Sequence, residues 1–229
     1  MIRLQQVKVS FGALPVLDNI SCQVRSGEVV AVLGTSGSGK TTLLRVIAGL
    51  VKPESGTVQV DSQRIGFIFQ DNRLVPWLNA EDNIALALKA SGTDSMKAAE
   101  TAKVWLQRLG LEGFNKYYPA QLSGGMAQRV SIARAFAIEP QIMLLDEPFS
   151  GLDADLADSL LKDLKVVLEG YRAAVVLVTH NPVEAISLAG RILRLTKSGC
   201  EETPVSNRRA MLEEYYKGQL RDIVPDKGF

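Results

Sequence analysis

Residues 29–48 read Val29-Val30-Ala31-Val32-Leu33-Gly34-Thr35-Ser36-Gly37-Ser38-Gly39-Lys40-Thr41-Thr42-Leu43-Leu44-Arg45-Val46-Ile47-Ala48. An apolar run leads into Gly34–Thr41, which fills every fixed position of G-x-x-x-x-G-K-[ST], and an apolar helical pattern follows. Strand, glycine loop and helix in that order predict a phosphate cradle at Gly34 through Thr42. Glycines let backbone N–H groups turn inward around phosphate oxygens, and a helix start near Lys40 adds roughly half a positive charge. Lys40 is placed to reach the β- and γ-phosphates of a nucleotide, and the Thr41 hydroxyl to coordinate Mg²⁺.

A second phosphate-ready helix start lies downstream, at Leu122-Ser123-Gly124-Gly125-Met126. Met126, Val130, Ala133 and Ala137 recur at helical spacing behind it, so Ser123 reads as an N-cap. Taken alone, Ser-Gly-Gly requires nothing beyond a cap and an entry turn. Its company says more. Gln141-Ile142-Met143-Leu144-Leu145-Asp146-Glu147-Pro148 is an apolar run too short for a helix, ending in adjacent carboxylates; it reads as a buried parallel strand. Successive residues at a strand end project to opposite sides, so Asp146 can face Mg²⁺ while Glu147 orients the attacking water. A further buried-strand run, Ala174 to Thr179, delivers His180 at its C-terminal edge, where open α/β sheets gather ligands.

Composition narrows the class. The 229 residues suffice for one large domain or a domain plus subdomain, with 46% hydrophobic and 22% charged residues in ordinary globular balance. A formal net charge of +1 gives no broad basic footprint for nucleic acid. The two cysteines, Cys22 and Cys200, lack C-x-x-C spacing and read as reduced thiols. No apolar run approaches the ~20 residues needed to span a bilayer. Met1 to Gln6 lacks a signal peptide's apolar region, so any membrane role is expected to pass through a partner.

Short strands are predicted at Ile2–Phe11, Val16–Val24, Thr57–Val60 and Ile65–Phe69, the first of them forming a small β-subdomain beside the core sheet. From about residue 79 to 120 the pattern is helical, with Asn83 to Leu88 and then Val104, Leu106, Leu109 and Leu111; Asn79 or Ser95 would cap these helices. Ala90 to Asp94 reads as the linker between them. The tail from Ser206 carries one helix with Met211, Leu212, Tyr215 and Tyr216.

The order of these elements resembles the ATP-binding subunit of an ABC transporter over nearly the whole chain. The resemblance implies an α/β P-loop NTPase core, a mostly parallel sheet with flanking helices. It also implies an antiparallel β-subdomain, and a helical subdomain at roughly 79–137 carrying the Leu-Ser-Gly-Gly-Met motif, all within a single domain spanning 1–229. It implies ATP and Mg²⁺ as cofactors. Phe11 resembles the aromatic that stacks on adenine, and Gln70 the glutamine that senses Mg²⁺ and attacking water. Asp153 resembles the aspartate coupling two active sites, and His180 the histidine that contacts the γ-phosphate. In that family Ser123, Gly124 and Gly125 would close on ATP held by the P-loop of another copy.

The implied partners are a second copy or a homologous ATPase subunit, transmembrane permease subunits and, indirectly, an extracytoplasmic solute-binding protein, at the cytoplasmic face of the membrane. Phe11 stands where Tyr is more usual and keeps the π-face that stacking needs. Met126 stands where Gln is commonest. The Leu-Ser-Gly-Gly-Met form, with Arg73-Leu74-Val75-Pro76-Trp77-Leu78 after Gln70, resembles importers of nitrate, taurine and other sulfonates. Leu74 to Leu78 would either dock a permease helix or pack the helical subdomain. Alternatives are a non-transport ATPase of the same superfamily, or an exporter or lipoprotein-extraction subunit. Chromosome-maintenance relatives carry a long coiled coil and translation-factor relatives two cassettes, and neither feature is present in these residues.

Overall fold

The computed structural model describes residues 1–196, 199–204 and 207–223. Its centre is a six-stranded sheet built from β5 (Ile65–Ile68), β6 (Ile142–Asp146), β7 (Ala174–Thr179), β3 (Val29–Leu33), β8 (Arg191–Thr196) and β9 (Gly199–Thr203), in that spatial order. All neighbours pair in parallel except β8 with β9, which run antiparallel. β6 and β7 are buried along their whole length, as strands covered on both faces must be.

The period of two sorts each strand between two layers. Ala31, Leu33, Met143, Leu145, Val175 and Leu177 join a core with the helices α2 (Ala80–Ala90), α3 (Ser95–Arg108), α4 (Gly124–Ala137) and α5 (Ala154–Glu169). Val30, Val32, Ile142, Leu144, Val176 and Val178 face the other way, toward α1 (Lys40–Ile47) and a three-stranded antiparallel sheet. That sheet has the order β2 (Leu14–Val24), β1 (Ile2–Phe11), β4 (Ser55–Val60). Asp146 is in phase with Ile142 and Leu144 and therefore emerges on the α1 side. The helices α2, α3 and α4 stand between β5 and β6 in the chain.

Most predicted elements are present, with three corrections. Asp94, not Ser95, caps α3: its Oδ1 accepts from Met96 N at 2.8 Å, which makes Ser95 the first helical residue. Leu109 and Leu111 lie past the end of α3 but are buried, whereas Val104 within it is 61% exposed. Phe69 falls just beyond β5, stacked on Phe67 with ring centroids 4.0 Å apart. Asn79 caps α2 as expected, accepting from Asp82 N at 2.9 Å. The tail start at Ser206 lies outside the described residues; α7 (Arg208–Ile223) follows it. Among the described residues no helix is long and apolar enough to cross a membrane. Cys22 and Cys200 are both free, and burial raises their thiols to about 11 and about 12, which keeps them protonated and unreactive.

Candidate functional site

The P-loop runs from the C-terminal end of β3 to the start of α1. Gly39 holds φ 94°, and a Cβ there would meet Val16 O and a Leu17 methyl at 2.8 Å, so the loop passes too close to β2 for any side chain. No side chain caps α1 and no acidic residue occupies its first turn. The orphan N–H groups of that turn are left to an anion. Lys40, 5% exposed, donates from Nζ to Gly34 O at 2.9 Å and to Thr35 O at 3.1 Å. These neutral carbonyls are weak partners for a buried ammonium, which phosphate oxygens would satisfy better. Ser38 Oγ is buried without a partner beside the same loop. The cradle therefore fits a polyphosphate.

Thr41 Oγ1 donates to Asp146 Oδ1 at 2.9 Å, joining the P-loop helix to the end of β6. Burial is the main cause that lifts the Asp146 carboxyl above its ordinary range, opposed by the Thr41 bond and reinforced by the Glu147 charge. A hydroxyl and a carboxylate at this spacing suit a small hard cation such as Mg²⁺. Among the described residues no group of three His, Cys, Asp or Glu could complete a shell, so substrate oxygens and water would have to.

The raised Asp146 has a consequence for stability. A carboxyl with a raised folded-state pKa loses stabilising influence as pH rises through that value, so its ionised form strains the nucleotide-free fold at neutral pH. Asp146→Asn, which still accepts from Thr41, is expected to raise the nucleotide-free melting temperature at pH 7. The gain should shrink as pH falls into the carboxyl range; thermal unfolding at several pH values measures it, and a lower melting temperature at pH 7 would contradict the reading.

Glu147 leaves the strand in a left-handed turn, φ 45°, a conformation costing about 1–3 kcal/mol in a non-glycine residue. The turn separates its carboxylate from that of Asp146. Glu147 Oε1 lies 3.6 Å from Lys40 Nζ, and Oε2 lies 3.1 Å from His180 Nδ1. His180 follows β7, its side chain 60% exposed. One residue before it, Thr179 Oγ1 donates to Glu184 Oε2 at 2.5 Å. Burial raises the Glu184 carboxyl, opposed by the Thr179 bond and the nearby His180. No sequence motif marks Glu184, because its tie to the site runs through the side-chain bond to Thr179. Gln70 lies two residues past β5 and is exposed. Phe11 ends β1, 53% exposed, paired across the hairpin with Leu14.

Thus Lys40, Thr41, Asp146, Glu147 and His180 converge at the strand ends, beside a cleft of about 1080 Å³ lined by Gly34–Ser38, His180 and residues of β8, β9 and α7. Ser123 does not join them. It caps α4, its Oγ accepting from Met126 N at 3.3 Å, and Ser123 and Gly124 are exposed and do not line that cleft. Gly125 is closely packed, since a Cβ there would meet the Leu156 side chain of α5 at 2.5 Å and displace it. Asp153 caps α5 next to it, accepting from Leu156 N at 3.0 Å.

The segment after Gln70 is held from two sides. Asn83, fully buried, accepts from Val75 N at 2.7 Å and donates to the carbonyls of Val75, Leu78 and Asn79. Arg134 of α4 donates to Arg73 O and Asn72 O, both at 2.8 Å. Between these anchors Leu74 packs on the core while Trp77 remains 76% exposed.

The ABC transporter family profile matches residues 17–150. The chain is 41% identical over 203 residues to the taurine import ATP-binding protein TauB of Escherichia coli, covering 86% of this chain and 80% of that one. It is 40% identical over 215 residues to the sulfate/thiosulfate import ATP-binding protein CysA 2 of Rhizobium meliloti, covering 88% of this chain and 59% of that one. Among solved structures, a dimeric bacterial ABC transporter cassette, MJ0796, superposes with TM-score 0.80 at 34% identity over 88% of this chain and 97% of that one. The same cassette in a dimeric post-hydrolysis state with ADP and Pi superposes with TM-score 0.80 at 33% identity, over 90% and 99% of the two chains.

Proposed function

This chain belongs to the ABC transporter family as an ATP-binding, ATP-hydrolysing subunit, and from that premise we propose that pairs of it drive a membrane permease importing a small solute such as taurine, another sulfonate or nitrate. The observation that carries the paired arrangement is the exposed Ser123–Gly124 start of α4, a helix that packs chiefly on α2, α3, α5 and β5. Two copies set the P-loop of each against the Ser123-Gly124-Gly125 start of the other. The second anion-binding helix then contributes only in the closed pair, so ATP biases an open–closed equilibrium toward closure.

In this reading the nucleotide phosphates exchange for the Gly34 and Thr35 carbonyls on Lys40 and meet the α1 amides through Gly34 to Thr42. Phe11 stacks on the adenine. Thr41, Asp146 and Gln70 would hold Mg²⁺, which would supply charge neutralisation on the phosphates. Glu147 orients and deprotonates water, His180 contacts the γ-phosphate while bonded to Glu147, and Asp153 couples the two active sites. Residues 79–137 act as a helical subdomain of one 1–229 ATPase domain. The permease places the chain at the cytoplasmic face of the membrane, and an extracytoplasmic binding protein delivers the solute.

Leu74 to Leu78 serves both packing and docking: Leu74 anchors, and Trp77 presents an aromatic surface to the permease. Trp77→Ala is expected to weaken co-purification with the permease about tenfold or more while leaving ATP affinity of the subunit alone unchanged. Parallel titrations of permease and ATP measure this, and equal loss of both would contradict it.

A further inference from the structure

The helix α4 carries more than its Ser123–Gly125 start. About one turn in, Gln128 is 3% exposed, and its Nε2 donates to Pro148 O at 2.5 Å. Pro148 directly follows Glu147, the residue held at φ 45°. The N–H of Glu147 donates to Val178 O at 2.9 Å, and its carbonyl accepts from Ser150 N at 3.0 Å. Proline has no N–H, so the Pro148 carbonyl is the polar handle by which a neighbour can hold the far side of this turn. Gln128 holds it. A left-handed non-glycine residue persists only where its surroundings fix it from several sides, and here β7, the Ser150 turn and α4 do so.

The arrangement recurs further along α4. Arg134 grips the carbonyls of Asn72 and Arg73, and Arg73 is again left-handed at φ 46°, three residues beyond Gln70. One rigid helix therefore bears on both segments that carry the groups acting on water, Glu147 and Gln70, while its exposed end faces outward.

We propose that Gln128 is a positioning residue for Glu147, through which the placement of the Ser123–Gly125 helix start is transmitted to the carboxylate of the same chain's own P-loop site. This rests on the reading in which that start engages the nucleotide of a second copy. Engagement there shifts α4 as a unit, and Gln128 carries the shift to the Glu147 turn. Each site then reaches full activity only when the other is occupied. A misplacement of ~1 Å at a reacting group can cost about a hundredfold, so a single hydrogen bond at this turn suffices as the link.

The test uses the full chain. Gln128→Met keeps the side-chain length and removes the donor; it is expected to lower kcat about tenfold or more with KM for ATP and ATP-driven pairing unchanged. In a Glu147→Gln background the same substitution should change the residual single-turnover rate by less than about twofold, because the carboxylate it positions is already gone. Unchanged kcat in a folded Gln128→Met chain, or an equal loss in both backgrounds, overturns the proposal in favour of plain packing. Gln128→Glu covers the case in which the methionine variant does not fold: it donates only when protonated, so its kcat relative to wild type should recover as pH falls. A ratio flat with pH counts against the link. Failure of the Glu147 assignment itself would show separately, as wild-type turnover in Glu147→Gln alone.

Discussion

Replacing Glu147 by Gln is expected to lower ATP turnover by about 10²–10⁴-fold while ATP still binds and still drives pairing. The amide keeps the shape of the side chain and can accept from His180 or face Lys40, so the P-loop and the turn at φ 45° are undisturbed. It cannot take a proton from water. The expected signature is therefore a split: nucleotide affinity near wild type, a long-lived closed pair, and hydrolysis almost absent. Size-exclusion chromatography with ATP and a phosphate-release assay read the two halves. Turnover at the wild-type rate would show that another group activates the water.

Lys40→Met should act one step earlier. Lys40 is the buried cation of the cradle, bonded to Gly34 O and Thr35 O and 3.6 Å from Glu147 Oε1. Its removal takes a charge-assisted contact from the phosphates and leaves the Glu147 carboxylate beside a neutral side chain. ATP binding is expected to weaken about a hundredfold or more, with pairing and hydrolysis lost together. Equilibrium titration with a fluorescent ATP analogue measures the loss. The fold should survive, because methionine fills the volume and releases two carbonyls that solvent can reach from the open cleft. Binding within a few-fold of wild type would contradict the account of the cradle.

How far the sequence could carry these assignments depended on the range of the interactions involved. The P-loop was legible because strand, glycines, Lys40 and Thr41 are contiguous, and their chemistry needs only local backbone geometry. Asp146 and Glu147 were legible as a pair, since two carboxylates at the end of a buried strand are costly unless a cation or a reacting group makes use of them. Their separation came from alternation together with the left-handed turn at Glu147, which spacing alone does not announce. Asp94 and Ser95 are both good caps, and the choice between them turned on one residue of backbone conformation. Strands β8 and β9 went unassigned: Arg191 and Arg194 interrupt the apolar pattern at the sheet's edge, where one side of the strand pairs with Glu201 and Glu202 of its neighbour. Gln128, Asn83 and Arg134 were invisible for a deeper reason. Each bonds to backbone carbonyls of another segment, and a carbonyl carries no mark in the sequence.

The same distinction explains Ser123. The cap is local and was read correctly from Ser-Gly-Gly before a helical pattern. Where the capped start lies relative to the P-loop is a tertiary matter, and on the proposed pairing it makes a duplicated phosphate-binding element half of a shared site.

A mixing experiment tests the shared site most directly. A Lys40→Met chain has a disabled P-loop and an intact Ser123–Gly125 start; a Ser123→Arg chain has the reverse. Each alone should be inactive, because every site it forms contains one broken half. In a mixed pair the intact P-loop of one chain meets the intact start of the other while the second site stays empty, so mixing is expected to restore hydrolysis clearly above either chain alone but to less than roughly a quarter of the wild-type rate at equal proportions. A mixture no more active than the sum of its separate components would contradict the account, because it would mean that each chain completes its own site.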